Sequence, residues 1–166
     1  MNRVRGEIFN GFKLIELLRN HVPQDFNPDD FVIAGSARLW VGGVTRHLSD
    51  LDLLARPGSD TWRRAKELAF IHAPVFLDEP LRVSDYSGDK IARLYAGVVE
   101  VCDKWVLPGS DTHELIDHAD VFDGFRYLTV ADVVAYKRYL NRPKDHADLR
   151  VLAGFGYGTG FEPVRR

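Results

Sequence analysis

Apolar and polar positions follow two different periodicities along the chain, which predicts a mixture of helices and strands. Apolar residues recur every three or four positions over residues 3–21, the spacing of one face of an amphipathic helix. Short runs rich in β-branched and aromatic residues predict strands, and capping residues before helical spacing predict further helices. The predicted strands are residues 31–34, 50–55, 73–77, 81–86 and 98–106, and the predicted helices are residues 3–21, 36–43, 60–72, 111–119, 129–142 and 143–152.

These elements alternate between helix and strand, and the sequence shows neither a repeat nor an interdomain linker. A chain of 166 residues is long enough to bury one core, so we expect a single domain over residues 1–153. Residues 154–166 alternate glycine with aromatic side chains and are expected to form a C-terminal tail. The fold class predicted from this pattern is α/β (α+β).

Composition narrows the class of protein without pointing to a function. Apolar residues make up 45% of the chain and the net charge is −2, which predicts no general attraction to nucleic acid or membranes. The single cysteine, Cys102, predicts no internal disulfide and no cysteine-based zinc site. The sequence has neither an apolar run of about 18–20 residues nor the apolar core of a signal peptide. We therefore expect a cytoplasmic protein with no membrane segment.

The most informative polar residues lie at the end of one predicted strand and at the start of the next. The apolar run at residues 31–34 ends at Gly35 and Ser36, and Asp50 and Asp52 begin the next predicted strand. Alternate residues of a strand share one face, so both carboxylates point the same way, with Cα atoms about 6.6 Å apart. Carboxylates at this separation can converge on divalent ions, and the Gly-Ser turn offers backbone amides to a phosphate chain. The pattern predicts a site for a metal-bound nucleoside triphosphate.

A third metal ligand is expected from the predicted strand at residues 98–106, which carries Glu100 and Asp103. If the valines on either side of Glu100 face the helices, Glu100 lies on the same open side as Asp50 and Asp52. Glu100 is therefore the preferred third ligand, and Asp103 is the alternative. Three carboxylates on one patch raise one another's pKa unless a cation is bound. Two bound Mg²⁺ ions would keep these carboxylates ionised, and Mn²⁺ is an alternative metal.

These residues carry a resemblance to a known family. The Gly35-Ser36 turn, the Asp50-x-Asp52 pair and an acid on a later strand together resemble the nucleotidyltransferase superfamily of DNA polymerase beta. The later segments at residues 127–137 and 142–148 look like the C-terminal part of small bacterial and phage members. The resemblance implies a mixed, partly antiparallel sheet with helices packed on one face and a short C-terminal helical segment.

The resemblance also implies roles for individual residues. In that family the Gly-Ser turn holds the triphosphate, which implies Gly35 and Ser36 as nucleotide-binding residues. The three acids bind the metal ions, and the third also assists deprotonation of the acceptor hydroxyl. The catalytic and metal-binding residues implied for this chain are Asp50, Asp52 and Glu100.

Basic side chains are expected to contact the β- and γ-phosphates, where negative charge must be neutralised. The first candidates are Arg38, which follows the Gly-Ser turn, and Lys137 on a later predicted helix. Arg46 and Lys144 are second candidates. The implied activity is Mg²⁺-dependent transfer of a nucleoside monophosphate from a nucleoside triphosphate, such as ATP, to a hydroxyl group, with release of pyrophosphate.

The sequence leaves the acceptor open. The segment at residues 43–50 is similar both to lincosamide nucleotidyltransferases and to toxin-type enzymes that modify transfer RNA or proteins. A transfer RNA, a protein or a small molecule such as an antibiotic therefore remains a candidate acceptor. Two other functions use the same residues: a catalytically inactive nucleotide- or partner-binding relic of the fold, and a metal-dependent phosphohydrolase acting on water.

Overall fold

The computed structural model describes residues 12–43, 48, 50–85 and 89–163, and within them six α-helices and seven β-strands are interspersed. The helices are α1 (Phe12–His21), α2 (Ala37–Val41), α3 (Asp60–Phe76), α4 (Thr112–Asp117), α5 (Val130–Leu140) and α6 (Pro143–Gly154). The strands are β1 (Phe31–Ala34), β2 (Leu51–Ala55), β3 (Leu81–Val83), β4 (Lys90–Leu94), β5 (Val99–Cys102), β6 (Asp120–Phe122) and β7 (Phe125–Tyr127).

All seven strands form one mixed sheet in the order β3-β4-β5-β2-β1-β7-β6. Neighbouring strands are antiparallel except for two parallel pairs, β2 with β5 and β1 with β7. The parallel β2–β5 pair places Asp52 directly opposite Glu100. The α/β class and the mixed, partly antiparallel sheet are therefore confirmed.

Helices cover both faces of the sheet. On one face, Ile33 of β1, Leu53 of β2 and Val101 of β5 belong to an apolar core that includes side chains of α1 and α3. On the other face, Val32 and Leu54 belong to a second core built with α4, α5 and α6. The expectation that helices pack on one face only is wrong. The central strands carry apolar residues at consecutive positions, so the sheet has two apolar faces and each is covered by a layer of helices.

Four parts of the secondary structure differ from the prediction. Strand β5 ends at Cys102, so the predicted strand at residues 98–106 is too long at its C-terminal end. Helix α3 continues through Pro74 to Phe76, so the predicted strand at residues 73–77 is wrong. The ring of Phe76 packs edge-on against the ring of Tyr95 at 5.8 Å, which holds the last turn of the helix against the short turn that follows β4. Strand β4 and the β6–β7 hairpin were not predicted, because these strands are short and carry charged residues.

The ends of the chain are described in part. Residues 3–11 of the predicted first helix lie outside the described residues. In the tail, Tyr157 and Phe161 pack against the core on the α4–α6 side, and Thr159 is buried. Within the described ranges, no helix combines the length and apolar character that a membrane crossing requires.

Candidate functional site

An open cleft of about 360 Å³ lies on the α5–α6 side of the sheet and collects the predicted acidic residues. Its floor includes Asp52 of β2 and Glu100 of β5, which are adjacent because the two strands pair in parallel with these residues opposite each other. Leu51 and Leu53 point to the opposite face, so strand alternation turns Asp52 towards the cleft. Asp50, just before β2, also lines the cleft and is exposed. The structure thus brings the three predicted acids together.

The Gly35-Ser36 turn lies against the carboxylate of Asp52. Gly35 has a φ of +67°, in the left-handed region that favours glycine, and a Cβ atom at this position would lie 2.9 Å from Oδ2 of Asp52. Ser36 is the residue before α2, and its side chain makes no capping hydrogen bond to that helix. Both residues line the cleft, so the turn and the acids share one site.

Loss of hydration, with a smaller effect of neighbouring negative charge, raises the pKa values of two acids of the cleft. Asp52 reaches solvent through the cleft, but the surrounding protein reduces its hydration, and this is the main reason that its pKa rises from 3.8 to about 7. The neighbouring carboxylates of Asp50 and Glu100 raise the pKa further, while Arg82 and Lys144 lower it. Loss of hydration also raises the pKa of Glu100, against the opposing effect of Arg82. A cation bound at this patch would favour the ionised carboxylates.

Glu100 already has a cationic neighbour. Its Oε2 lies 3.2 Å from Nη2 of Arg82, an ion pair between β5 and the edge strand β3. This oxygen is buried and accepts no hydrogen bond of good geometry from the described residues. Across the described ranges, no group of three or more His, Cys, Asp or Glu side chains is arranged to hold a metal ion. Asp50 and Asp52 remain the two carboxylates that could ligate a cation together with oxygens of a bound ligand, as Mg²⁺ commonly requires.

Glu100, rather than the alternative Asp103, lies in the cleft. Asp103 does not belong to the described lining, and its backbone carbonyl accepts a hydrogen bond from the hydroxyl of Thr112 at 2.9 Å. Cys102 also lines the cleft, and burial raises the pKa of its thiol to about 12. A thiol with this pKa stays protonated at neutral pH, which argues against a nucleophilic role for Cys102.

The two basic residues predicted to contact phosphate have acidic partners within the protein. Arg38 is buried, and its Nη2 lies 3.2 Å from Oδ2 of Asp120 on β6; Arg38 is not part of the described cleft lining. Lys137 does line the cleft, but it is buried, with Nζ at 2.8 Å from Asp148 and 3.6 Å from Asp145. Both cations therefore neutralise carboxylates that the fold itself brings inward.

Other basic side chains surround the acidic floor. The second candidate Lys144 lines the cleft, whereas Arg46 lies outside the described residues. Sequence reasoning missed four further basic residues of the lining: Arg82, Lys90, Lys104 and Arg142. The alternation of residues 81–83 could have indicated Arg82, because its side chain faces away from those of Leu81 and Val83. The cleft thus combines an acidic floor with basic walls. This charge pattern suits an anionic ligand that contacts the basic walls and is bridged to the acidic floor by a cation.

No protein-family model, curated protein or solved structure matches this chain.

Proposed function

We propose that this chain is a Mg²⁺-dependent nucleotidyltransferase of the DNA polymerase beta type. It would transfer a nucleoside monophosphate from a nucleoside triphosphate to a hydroxyl acceptor and release pyrophosphate. The observation that carries the proposal is the pairing of Asp52 with Glu100 on the cleft floor, with Asp50 and the Gly35 turn beside them. Two neighbouring strands and one turn therefore supply the three parts of the proposed site.

The donor set of the cleft fits a hard divalent cation. Asp50 and Asp52 offer carboxylate oxygens, and Mg²⁺ binds through one or two carboxylates completed by water and substrate phosphate oxygens. Loss of hydration and the neighbouring carboxylates of Asp50 and Glu100 raise the pKa of Asp52, and a cation bound beside these carboxylates would favour their ionised forms. Bound there, the metal would supply Lewis-acid stabilisation of charge on the transferred phosphoryl group.

The chain's own residues would bind the nucleotide and move a proton. The basic walls, which include Arg82 and Lys144, would neutralise the triphosphate and the leaving pyrophosphate. The acceptor hydroxyl oxygen forms the new bond to the α-phosphorus, and the bond from the α-phosphorus to the bridging oxygen of the β-phosphate breaks. Glu100 would accept the hydroxyl proton, because its raised pKa brings its proton affinity closer to neutral pH. Release of pyrophosphate then completes the reaction.

The proposal is tested by label transfer. Each α-labelled nucleoside triphosphate is supplied with Mg²⁺, purified protein and cell extract, which is then separated into protein, RNA and small molecules. We expect label in one fraction with the wild type and none with Asp50→Asn or Asp52→Asn. Asp103→Asn is the matched control and should retain transfer. Asp103 directly follows β5 but does not belong to the described cleft lining. Equal labelling by wild type and Asp52→Asn would overturn the proposed site, and release of free nucleoside monophosphate would indicate a phosphohydrolase.

A catalytically inactive nucleotide-binding protein is the second candidate. It is favoured by the ion pair between Arg82 and Glu100, which engages the third acid, and by the lack of a three-ligand metal group within the described ranges. The two candidates differ in one readout. A relic would bind a nucleoside triphosphate in the cleft but transfer no label to any fraction, whereas the enzyme would do both.

A further inference from the structure

One wall of the cleft carries a tyrosine hydroxyl that has no partner among the described residues. Tyr136 of α5 is only 4% exposed, and it lines the cleft. No described residue forms a hydrogen bond with its hydroxyl, yet this oxygen does not belong to the atoms that are buried without a partner. The hydroxyl therefore keeps contact with solvent, and it does so through the cleft. Polar groups of buried side chains normally have hydrogen-bond partners, so this hydroxyl points to a ligand.

Packing around Tyr136 fixes the direction of its side chain. The ring lies edge-on against the ring of Trp105, with the two centroids 5.0 Å apart. On another side, Nζ of Lys137 lies 5.1 Å from the centroid of the Tyr136 ring. A tyrosine side chain has only two torsion angles, and a ring held in this way loses little further freedom when it contacts a ligand. The hydroxyl is thus a pre-organised hydrogen-bonding group.

The Tyr136 hydroxyl lies near the acidic floor of the cleft. Burial is the main cause that raises the pKa of Tyr136, and the negative charge of Asp52 raises it further, so the two groups lie within electrostatic range of each other. The phenol therefore stays protonated at neutral pH and can donate a hydrogen bond. Phosphate oxygens on a Mg²⁺ ion held by Asp52 would lie about 4 Å from the carboxylate, since each bond to Mg²⁺ is about 2.0–2.1 Å long. The hydroxyl is therefore close to the expected position of a metal-bound phosphate.

A neutral donor suits this position better than a cation does. Lys137, the next residue of α5, was expected to contact phosphate, but its ammonium pairs with Asp148 at 2.8 Å and with Asp145 at 3.6 Å. A further positive charge beside Asp52 would compete with a metal ion for the carboxylate. The uncharged hydroxyl of Tyr136 can contact phosphate without this competition.

We propose that Tyr136 is a catalytic residue whose hydroxyl donates a hydrogen bond to a non-bridging oxygen of the α-phosphate. This inference rests on the proposed function, in which the acceptor hydroxyl that Glu100 deprotonates bonds to the α-phosphorus beside Asp52. Negative charge spreads over the non-bridging oxygens of the phosphoryl group in the transition state, and a donor fixed in place stabilises that charge without reorganisation. Tyr136 therefore contributes more to the transfer step than to nucleotide binding.

The first test removes the hydroxyl and measures transfer and binding separately. Tyr136→Phe should lower the initial rate of label transfer at saturating nucleotide about 10- to 100-fold. It should weaken binding of the α,β-methylene analogue of the same nucleotide only about 3-fold, because the contact is stronger in the transition state. Tyr127→Phe is the matched control and should transfer and bind as the wild type does. Tyr127 is buried in the core on the other face of the sheet and does not belong to the described cleft lining. Circular dichroism checks that each variant is folded.

Sulfur substitution in the nucleotide tests the contact itself. Each of the two α-thio diastereomers replaces one non-bridging oxygen of the α-phosphate with sulfur, which is a weaker hydrogen-bond acceptor. We expect one diastereomer to slow transfer by the wild type about 10-fold and to slow Tyr136→Phe much less. This difference arises only if the hydroxyl and the replaced oxygen act as a pair, so a purely structural role of Tyr136 would not produce it.

Two kinds of failure are distinguishable. Equal transfer rates for wild type and Tyr136→Phe would overturn the role of Tyr136 and leave the proposed function standing. Sulfur effects that are as large in Tyr136→Phe as in the wild type, for both diastereomers, would do the same. A wild type that transfers no label would instead overturn the proposed function, and with it the role of Tyr136 in transfer.

Discussion

A methyl group added at Gly35 tests how closely the Gly-Ser turn supports Asp52. At the φ of +67°, alanine costs about 1 kcal/mol more than glycine in the folded protein. Its Cβ would lie 2.9 Å from Oδ2 of Asp52, too close for an ordinary contact. Turning the carboxylate away from its preferred rotamer costs a further ~0.5–1.5 kcal/mol. We therefore expect Gly35→Ala to lower the free energy of unfolding by about 2 kcal/mol, measured by urea denaturation.

Gly58 provides the matched control. It has a similar φ of +74°, but a Cβ atom there would have no neighbour within 4 Å. Gly58→Ala should therefore show only the backbone cost of about 1 kcal/mol. The extra loss at Gly35 should disappear when Asp52→Ala removes the carboxylate that the methyl group meets. Equal losses in the two glycine variants, or an extra loss that persists without the Asp52 carboxylate, would refute this account of the turn.

Three further predictions concern charge. Because the pKa of Asp52 is raised to about 7 in the folded protein, the folded state binds more protons than the unfolded state between pH 3.8 and about 7. The stability of the wild type should therefore fall as pH rises through this window. Asp52→Asn lacks this titration, so its melting temperature relative to wild type should increase as pH rises. Arg82→Gln should release Glu100 and tighten Mn²⁺ binding by the nucleotide-free protein ~3- to 10-fold, measured by calorimetry. Lys137→Met should destabilise the fold by about 3 kcal/mol in urea denaturation, because the buried Asp148 carboxylate loses its ammonium neighbour at 2.8 Å.

Each of these predictions has a control in the same cleft. Lys90→Gln removes a different cation of the cleft, on β4, and should leave Mn²⁺ affinity nearly unchanged. This control separates the effect of breaking the Arg82–Glu100 ion pair from the effect of removing one positive charge from the cleft. Lys144→Met removes an exposed lysine near the start of α6 and should change stability little. Saturating Mg²⁺ should reduce the difference between wild type and Asp52→Asn above pH 7, since the cation compensates the ionised carboxylate. A difference in melting temperature between wild type and Asp52→Asn that does not depend on pH in this window would contradict the raised pKa of Asp52.

Local signals allowed parts of the fold to be predicted from the sequence. The side chains of Asp111 and Thr129 accept hydrogen bonds from backbone amides three residues later, as their capping patterns indicate. Alternation within single strands correctly separates Asp52 and Glu100 from their apolar neighbours. The pairing of β2 with β5 that makes these two acids adjacent depends on contacts 48 residues apart, which no local pattern specifies.

Local sequence patterns could not predict which distant residues the charged side chains pair with. The sequence places Lys137 on a helix, but only the packing of α6 against α5 brings Asp145 and Asp148 to it. Arg38 likewise follows the Gly-Ser turn in sequence, yet its partner Asp120 belongs to a hairpin that was not predicted. In both cases a basic residue expected to contact phosphate instead pairs with a carboxylate on another element, and periodicity carries no information about such pairs.

The most direct measurement of the central claim is equilibrium binding of a non-hydrolysable nucleoside triphosphate by calorimetry, with and without Mg²⁺. We predict that wild type binds the analogue only when Mg²⁺ is present, because the acidic floor repels a bare triphosphate. Asp52→Asn should weaken binding at least ~10-fold, and Asp103→Asn should bind as wild type does. Binding that is independent of Mg²⁺ and unaffected by Asp52→Asn, or no binding of any nucleotide, would contradict the account.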